Sequence, residues 1–220
     1  MNKKRLIFSK TGTAAYISHL DLMRTFQRAF VRAGIDLWHT EGFNPRAYVT
    51  IALPMPVAHE SVCEILNFAL NDGADERDII SRLNACLPAG IVVMEEYEGG
   101  LPIGKIKYVE NEITLEYDAG TPECIAERLD EVFSLPELVV LKKGKKRRMT
   151  DTDIKPLIRE LTFTPGENTV GIRAVLEGMT PYLNPVYVTA AIEKYAPDIA
   201  PNFASYLRRS ILDENMEKFR

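Results

Sequence analysis

Ser18-His19-Leu20-Asp21 gathers polar chemistry in four residues, with Lys10 and Tyr16 just upstream. Ser18 can accept from the Asp21 N–H while the Asp21 carboxylate reaches back, which makes a capping box with Asp in the usual Glu place. His19 then falls in the first helical turn, where the helix dipole disfavours imidazolium and favours a neutral ring. Such a ring is either a hydrogen-bonded structural group, or a general base or donor to an anion at the helix start. With Lys10 stabilising a phosphorane and Tyr16 nearby, His19 would serve as the base of a metal-independent ribonuclease. Without a catalytic step, Lys10, Ser18, His19 and Asp21 are candidate binding residues.

Arg24, Arg28 and Arg32 recur at i, i+4 and i+8, opposite an apolar face of Leu22, Met23, Phe26, Ala29, Phe30 and Ala33. They form either a solvated face or a row of guanidinium groups for phosphates. Residues 1–34 hold seven bases against one acid, in a chain that is acidic overall, and this local excess favours the phosphate reading. Further on, Trp38-His39-Thr40-Glu41-Gly42-Phe43-Asn44-Pro45-Arg46 reads as a loop. Gly42 permits a positive φ, and Asn44 before Pro45 favours a turn. Trp38 and Phe43 either pack inward or offer flat faces to a base, and Glu41 and Arg46 can read polar edges. Gly42, Phe43, Asn44 and Arg46 are the binding candidates here. This loop is expected to fold back, so that His19, Lys10, Asn44 and Arg46 surround one anion-accepting pocket. A third feature is the run Lys142–Arg148, with six bases in seven residues. It cannot be core, so Lys145, Lys146, Arg147 and Arg148 belong to a solvated loop or to an arm for phosphates or an acidic partner.

The elements that must position these residues follow from periodicity. The first half reads as a strand (5–9), a helix (18–33), a short strand (35–39), strands at 47–53 and 62–70, a helix (76–86) and a strand (91–97). The second half repeats the order: a strand (106–117), a helix from Pro122 to Phe133 with Thr121 as N-cap, a short strand (138–141), a hairpin of 156–163 and 169–176, a helix (185–195) and a final element (203–212) that periodicity leaves open between strand and helix. The fold class expected is α+β: two ferredoxin-like (split β-α-β) halves, each an antiparallel sheet with its helices packed on one face. The halves are residues 1–100, carrying the motifs, and 101–220, carrying the basic loop, with a hinge at Gly99-Gly100-Leu101-Pro102.

The whole chain of 220 residues is 46% hydrophobic and 26% charged, which excludes disordered and fibrous classes. Its net charge of -4 excludes a uniformly basic protein. Cys63, Cys86 and Cys124 are odd in number and far apart, so they suit reduced thiols of a cytoplasmic protein better than a disulfide scaffold or zinc ribbon. Neither a signal core nor a run of 18 apolar residues is present, so no membrane association is expected. His19, His39 and His59 would have to converge to hold a metal. No CxxxCxxC loop for an iron–sulfur cluster, Walker A or GxGxxG pattern occurs, and no cofactor is expected.

Lys10-Thr11-Gly12, Ile17-Ser18-His19-Leu20-Asp21-Leu22-Met23-Arg24, Arg32-Ala33-Gly34, Glu41-Gly42-Phe43-Asn44-Pro45, Ala52-Leu53-Pro54 and Glu60-Ser61 with Glu64, in this order, resemble the radical SAM-linked protein family, a bacterial domain of unknown function. The likeness is close over roughly residues 5 to 70; beyond that it extends only to length and element order. Arg46-Ala47 stand where the family usually has a second proline or histidine, Ala58 where it usually has glycine, and Val31 where arginine is common. The resemblance implies a partner, because members are encoded beside, or fused to, radical SAM enzymes. Gene neighbourhoods with ribosomal-protein and ribonuclease genes imply RNA. The function expected is an accessory substrate-binding or adaptor module for RNA or an RNA–protein substrate, working with a separately encoded radical SAM enzyme. Its alternatives are the His19 ribonuclease and a structural subunit that docks on a protein through the Trp38–Arg46 loop.

Overall fold

The computed structural model describes residues 2–143 and 149–220, without the side chain of residue 143. It is a mixed α+β protein with mostly antiparallel sheet and, among the described residues, four α-helices. The chain forms two compact units. One runs to Lys105 and takes in Phe219–Arg220; the other is Ile106–Lys218. The Gly99-Gly100 turn therefore lies inside the first unit.

The first unit contains β1 (Asn2–Lys10), α1 (His19–Arg32), β2 (Val49–Ile51), β3 (Glu60–Leu70), α2 (Ile79–Asn84) and β4 (Ile91–Glu98). Its strands lie in the order β4-β1-β3-β2, each pair antiparallel. Alternation along β1 and β3 sends Leu6, Phe8, Leu66, Phe68 and Leu70 to one face, where they pack against Leu22, Phe26, Ala29 and Phe30 of α1 and Ile79 and Leu83 of α2. Lys4, on the same strand, is buried with its ammonium among Glu76 (2.7 Å), Glu96 (2.7 Å) and Glu98 (3.2 Å). Burial opposes that charge, but the three carboxylate hydrogen bonds prevail and hold Lys4 above the usual lysine range.

The second unit repeats the plan. It contains β5 (Tyr108–Glu116), α3 (Pro122–Phe133), β6 (Val139–Lys143), β7 (Met149–Asp153), β8 (Ile158–Pro165), β9 (Thr169–Glu177), α4 (Val186–Tyr195) and β10 (Phe203–Leu212). Its main strands lie in the order β10-β5-β9-β8, again antiparallel, with β6 and β7 paired as a separate ribbon. Ile113, Leu115, Ile172, Ala174 and Leu176 from the sheet pack with Ile125, Leu129, Val188 and Ile192 from the helices. The final element is a strand: Phe203 to Leu212 pairs with β5 along its length.

Several element limits differ from expectation, and the short strand expected over 35–39 is reduced to isolated bridges of Leu37 with Leu70 and of His39 with Ala47. The second helix spans only Ile79–Asn84, because Asp78 ahead of it is left-handed (φ 51°) and interrupts the helical path from residue 76. The strand expected over 47–53 narrows to Val49–Ile51, which stands in register with Phe68, Asn67 and Leu66 of β3.

Candidate functional site

β1 ends in an irregular register between Phe8 and Lys10, and Lys10 turns into the protein with 1% of its surface exposed. Its ammonium donates to the Ala15 carbonyl at 3.1 Å, an oxygen that also accepts from the Ala58 N–H at 3.0 Å. Ala15 belongs to a 3₁₀ turn, Gly12–Tyr16, that joins β1 to α1. The turn is fixed at its other end by the Glu60 carboxylate, which accepts from the Gly12 N–H at 2.6 Å. Thr11 N–H donates to the Gly90 carbonyl at 2.8 Å. Gly90 (φ +86°) comes so close that a Cβ there would lie 2.4 Å from the Thr11 oxygen. His59, Ser61 and Glu64 are also buried where β3 begins. Lys10 thus turns its charge inward to hold the turn, while Tyr16 faces solvent, 68% exposed. This is a correction to the ribonuclease reading: Lys10 is not placed to stabilise a phosphorane in a cleft beside His19 and Tyr16.

Ser18 caps α1, its hydroxyl accepting from the Asp21 N–H at 3.2 Å and donating to the Asp21 carboxylate at 2.7 Å. The carboxylate therefore reaches the hydroxyl rather than the Ser18 backbone. Caps of this kind contribute about 0.5–2 kcal/mol. The Ser18 hydrogen bond, helped by Arg24 and Arg28, lowers the Asp21 pKa. His19 is partly exposed in the first turn. Along the outer side of the helix, Arg24, Gln27, Arg28, Val31 and Arg32 line a shallow trough of about 380 Å³. Arg24 pairs with Asp21 at 3.2 Å, Arg32 donates to the Cys86 carbonyl at 2.8 Å, and Arg28 makes no ion pair among the described residues.

The loop with Gly42, Phe43, Asn44 and Arg46 is a small arm. Trp38 N–H donates to the Ala69 carbonyl and Tyr48 N–H to the Trp38 carbonyl. His39 and Ala47 bridge, Thr40 N–H donates to the Arg46 carbonyl, and Arg46 N–H donates to the Thr40 hydroxyl at 3.1 Å. Trp38 and Tyr48 pack edge to face at 6.2 Å and anchor the base. At the tip Gly42 takes φ +125°, and Phe43 is fully exposed.

This arm does not fold back on Lys10. Its base lies at Ala69, whose partner on β1 is Lys3, whereas Lys10 pairs with Ser61 at the other end. Seven residues of strand separate the two levels, about 23 Å. The single pocket expected around His19, Lys10, Asn44 and Arg46 is thus replaced by two separate corners of one sheet.

Lys145, Lys146, Arg147 and Arg148 lie outside the described residues, between the paired strands β6 and β7. Lys142, at the start of that run, donates to the Tyr182 carbonyl and lies 5.9 Å from the Tyr187 ring centroid; burial lowers its pKa. No group of three His, Cys, Asp or Glu able to hold a metal occurs among the described residues. No helix among the described residues is long and apolar enough to cross a membrane.

Sequence reasoning left Glu60, His59 and Gly90 outside the candidate site. The available signal was a cluster of polar residues, His59, Glu60, Ser61 and Glu64, opening an otherwise apolar strand.

Comparison with known proteins gives a family and a fold. A family model described as an uncharacterized protein conserved in bacteria (DUF2344) matches residues 3–185. That description makes no mention of radical SAM enzymes. No curated protein matches the sequence. A chain in the crystal structure of a Cbf5-Nop10-Gar1 complex is similar with a TM-score of 0.50 at 10% sequence identity, a likeness of fold alone. The match covers 94% of this chain and 48% of that one, so the present chain spans about half its length.

Proposed function

This chain belongs to the DUF2344 family of uncharacterized bacterial proteins, and from that premise we propose that it is a binding module without a catalytic centre of its own. It holds RNA, or an RNA–protein substrate, for a separately encoded radical SAM enzyme. The observation that carries the reading is the outer side of α1. Three arginines are aligned along one trough, and Arg28 has no acidic neighbour within ion-pair distance among the described residues. Aligned guanidinium groups, of which Arg28 and Arg32 have no carboxylate partner among the described residues, suit the repeating charge of a phosphate backbone. The basic run Lys142–Arg148 adds a second group of cations in the sequence. The resemblance of the motif-bearing segment to the radical SAM-linked family supports the choice of partner, and the exposed Phe43 offers that partner an apolar contact.

The ferredoxin-like reading of each half belongs to this proposal. It is supported by the matching orders β4-β1-β3-β2 and β10-β5-β9-β8. The ribonuclease alternative loses support from the inward ammonium of Lys10.

Fluorescence anisotropy with a labelled single-stranded RNA, followed by sizing of the recovered RNA, tests the proposal. Saturable binding with full-length RNA returned is expected, both for the native chain and for His19→Ala. Cleavage that disappears in His19→Ala would restore the enzyme reading.

A further inference from the structure

The face of the first unit's sheet that α1 and α2 leave uncovered carries two polar rows. Leu6 and Phe8 point to the helices, so Lys3 and Arg5 project from the other side. Register sets Lys3 opposite Ala69 and Arg5 opposite Asn67, with Thr50 beyond Asn67. Ala69 is small and its N–H donates to the Tyr48 carbonyl at 3.2 Å, so the Lys3 ammonium spans it and lies 5.8 Å from the centroid of the Tyr48 ring. In the second row Arg5 Nε donates to Asn67 Oδ1 at 2.9 Å, and Asn67 Nδ2 donates to Thr50 Oγ1 at 3.4 Å. With the Gly99-Gly100 turn these side chains enclose a pocket of about 380 Å³.

The charged side chains that line this pocket are all basic. The Arg5 guanidinium is fixed by the Phe219 ring at 5.6 Å and by donation from Nη2 to the Leu101 carbonyl at 2.7 Å. Its Nη1 is buried and makes no hydrogen bond among the described residues. Gly100 (φ +95°) is packed so closely that a Cβ would lie 2.7 Å from Nη1, so this wall tolerates only glycine. The main-chain oxygen of Arg220 beside it accepts from the Leu101 N–H. Neither Lys3 nor Arg5 pairs with a side-chain carboxylate among the described residues, whereas Lys4 between them, on the opposite face, has three. Two cations that share a concave site without a side-chain carboxylate partner among the described residues repel each other, and an anion between them offsets that repulsion. Tyr48, Thr50 and Asn67 supply hydroxyl and amide groups at the same level.

We propose that this pocket binds the phosphoryl group of a nucleotide or of an RNA strand. Lys3 is the exposed donor, and Arg5 is the fixed charge in the wall behind it. The site lies on the opposite face from α1, so it does not depend on the arginine trough and can fail or stand independently of it.

Titration calorimetry of the full chain with inorganic phosphate, adenosine monophosphate, and single-stranded RNA with and without a 5′-phosphate tests this. The expected result is saturable binding of the monophosphate, displaced by phosphate. It weakens about tenfold or more in Lys3→Glu and in Arg5→Gln. Binding of only the 5′-phosphorylated RNA assigns the pocket to a terminal phosphate; equal binding of both RNAs, displaced by phosphate, assigns it to the backbone. Lys3 is exposed, so Lys3→Glu decides the matter even if Arg5→Gln fails to fold. Absence of saturable binding of phosphate and monophosphate, or monophosphate binding that survives Lys3→Glu unchanged, overturns the proposal.

Discussion

Gly90→Ala is expected to destabilise the first unit by about 2–5 kcal/mol. At φ +86° the added Cβ incurs the left-handed cost of about 1–2 kcal/mol. It also meets the Thr11 carbonyl oxygen at 2.4 Å and the Ala14 Cβ at 2.9 Å, an overpacking that costs about 1–3 kcal/mol more. Gly73→Ala is the control. Its φ of +83° is nearly the same, but nothing lies within 4 Å of the added Cβ, so only the conformational part applies. Trp38 is the single tryptophan and lies in the first unit, so its fluorescence during urea unfolding reports that unit. Equal losses for the two variants would show that the Thr11–Gly90 contact does not hold the turn between β1 and α1.

Lys10→Ala should cost about 2–5 kcal/mol in the same assay, the range for truncating a buried chain to alanine. The loss combines an unfilled volume with the missing donor to the Ala15 carbonyl. Lys10→Met keeps most of the volume and should recover much of the packing. A urea midpoint unchanged in Lys10→Ala would contradict the structural role assigned to the ammonium. A lysine serving only chemistry would behave that way.

Legibility in the sequence follows the kind of signal each feature carries. The helix Pro122–Phe133 is readable to the residue, because Thr121-Pro122 marks its start and its apolar period runs unbroken. β1, β3 and β9 are readable because their alternation answers to a covered face and an open one. The strand Met149–Asp153 escapes the pattern, since Met-Thr-Asp-Thr-Asp has no apolar alternation and is a strand only because β6 pairs with it. The burial of Lys10 also escapes. An irregular register after Phe8 turns the lysine inward, and no local pattern encodes that irregularity. Separation of the two motif-bearing corners depends on strand order. Ser18-His19 and Gly42-Phe43-Asn44 are near in sequence, but β1 and the approach to β2 place them at different levels of the sheet. Lys3 and Arg5 could be counted only as bases, because their shared pocket needs β3, Tyr48 and Gly100 beside them.

The most direct test of the central claim is the salt dependence of single-stranded RNA binding, comparing the native chain with the variant carrying Arg24→Ala, Arg28→Ala and Arg32→Ala. Each phosphate contact on a single strand contributes about 0.7 to the slope of log affinity against log salt. Loss of three contacts should therefore flatten the slope by about 2, between roughly 50 and 200 mM salt. All three side chains are exposed, so the variant should fold, and far-ultraviolet circular dichroism checks this. Saturable binding with that flattened slope is the result the account predicts; an unchanged slope, or no binding even at the lowest salt, would contradict it.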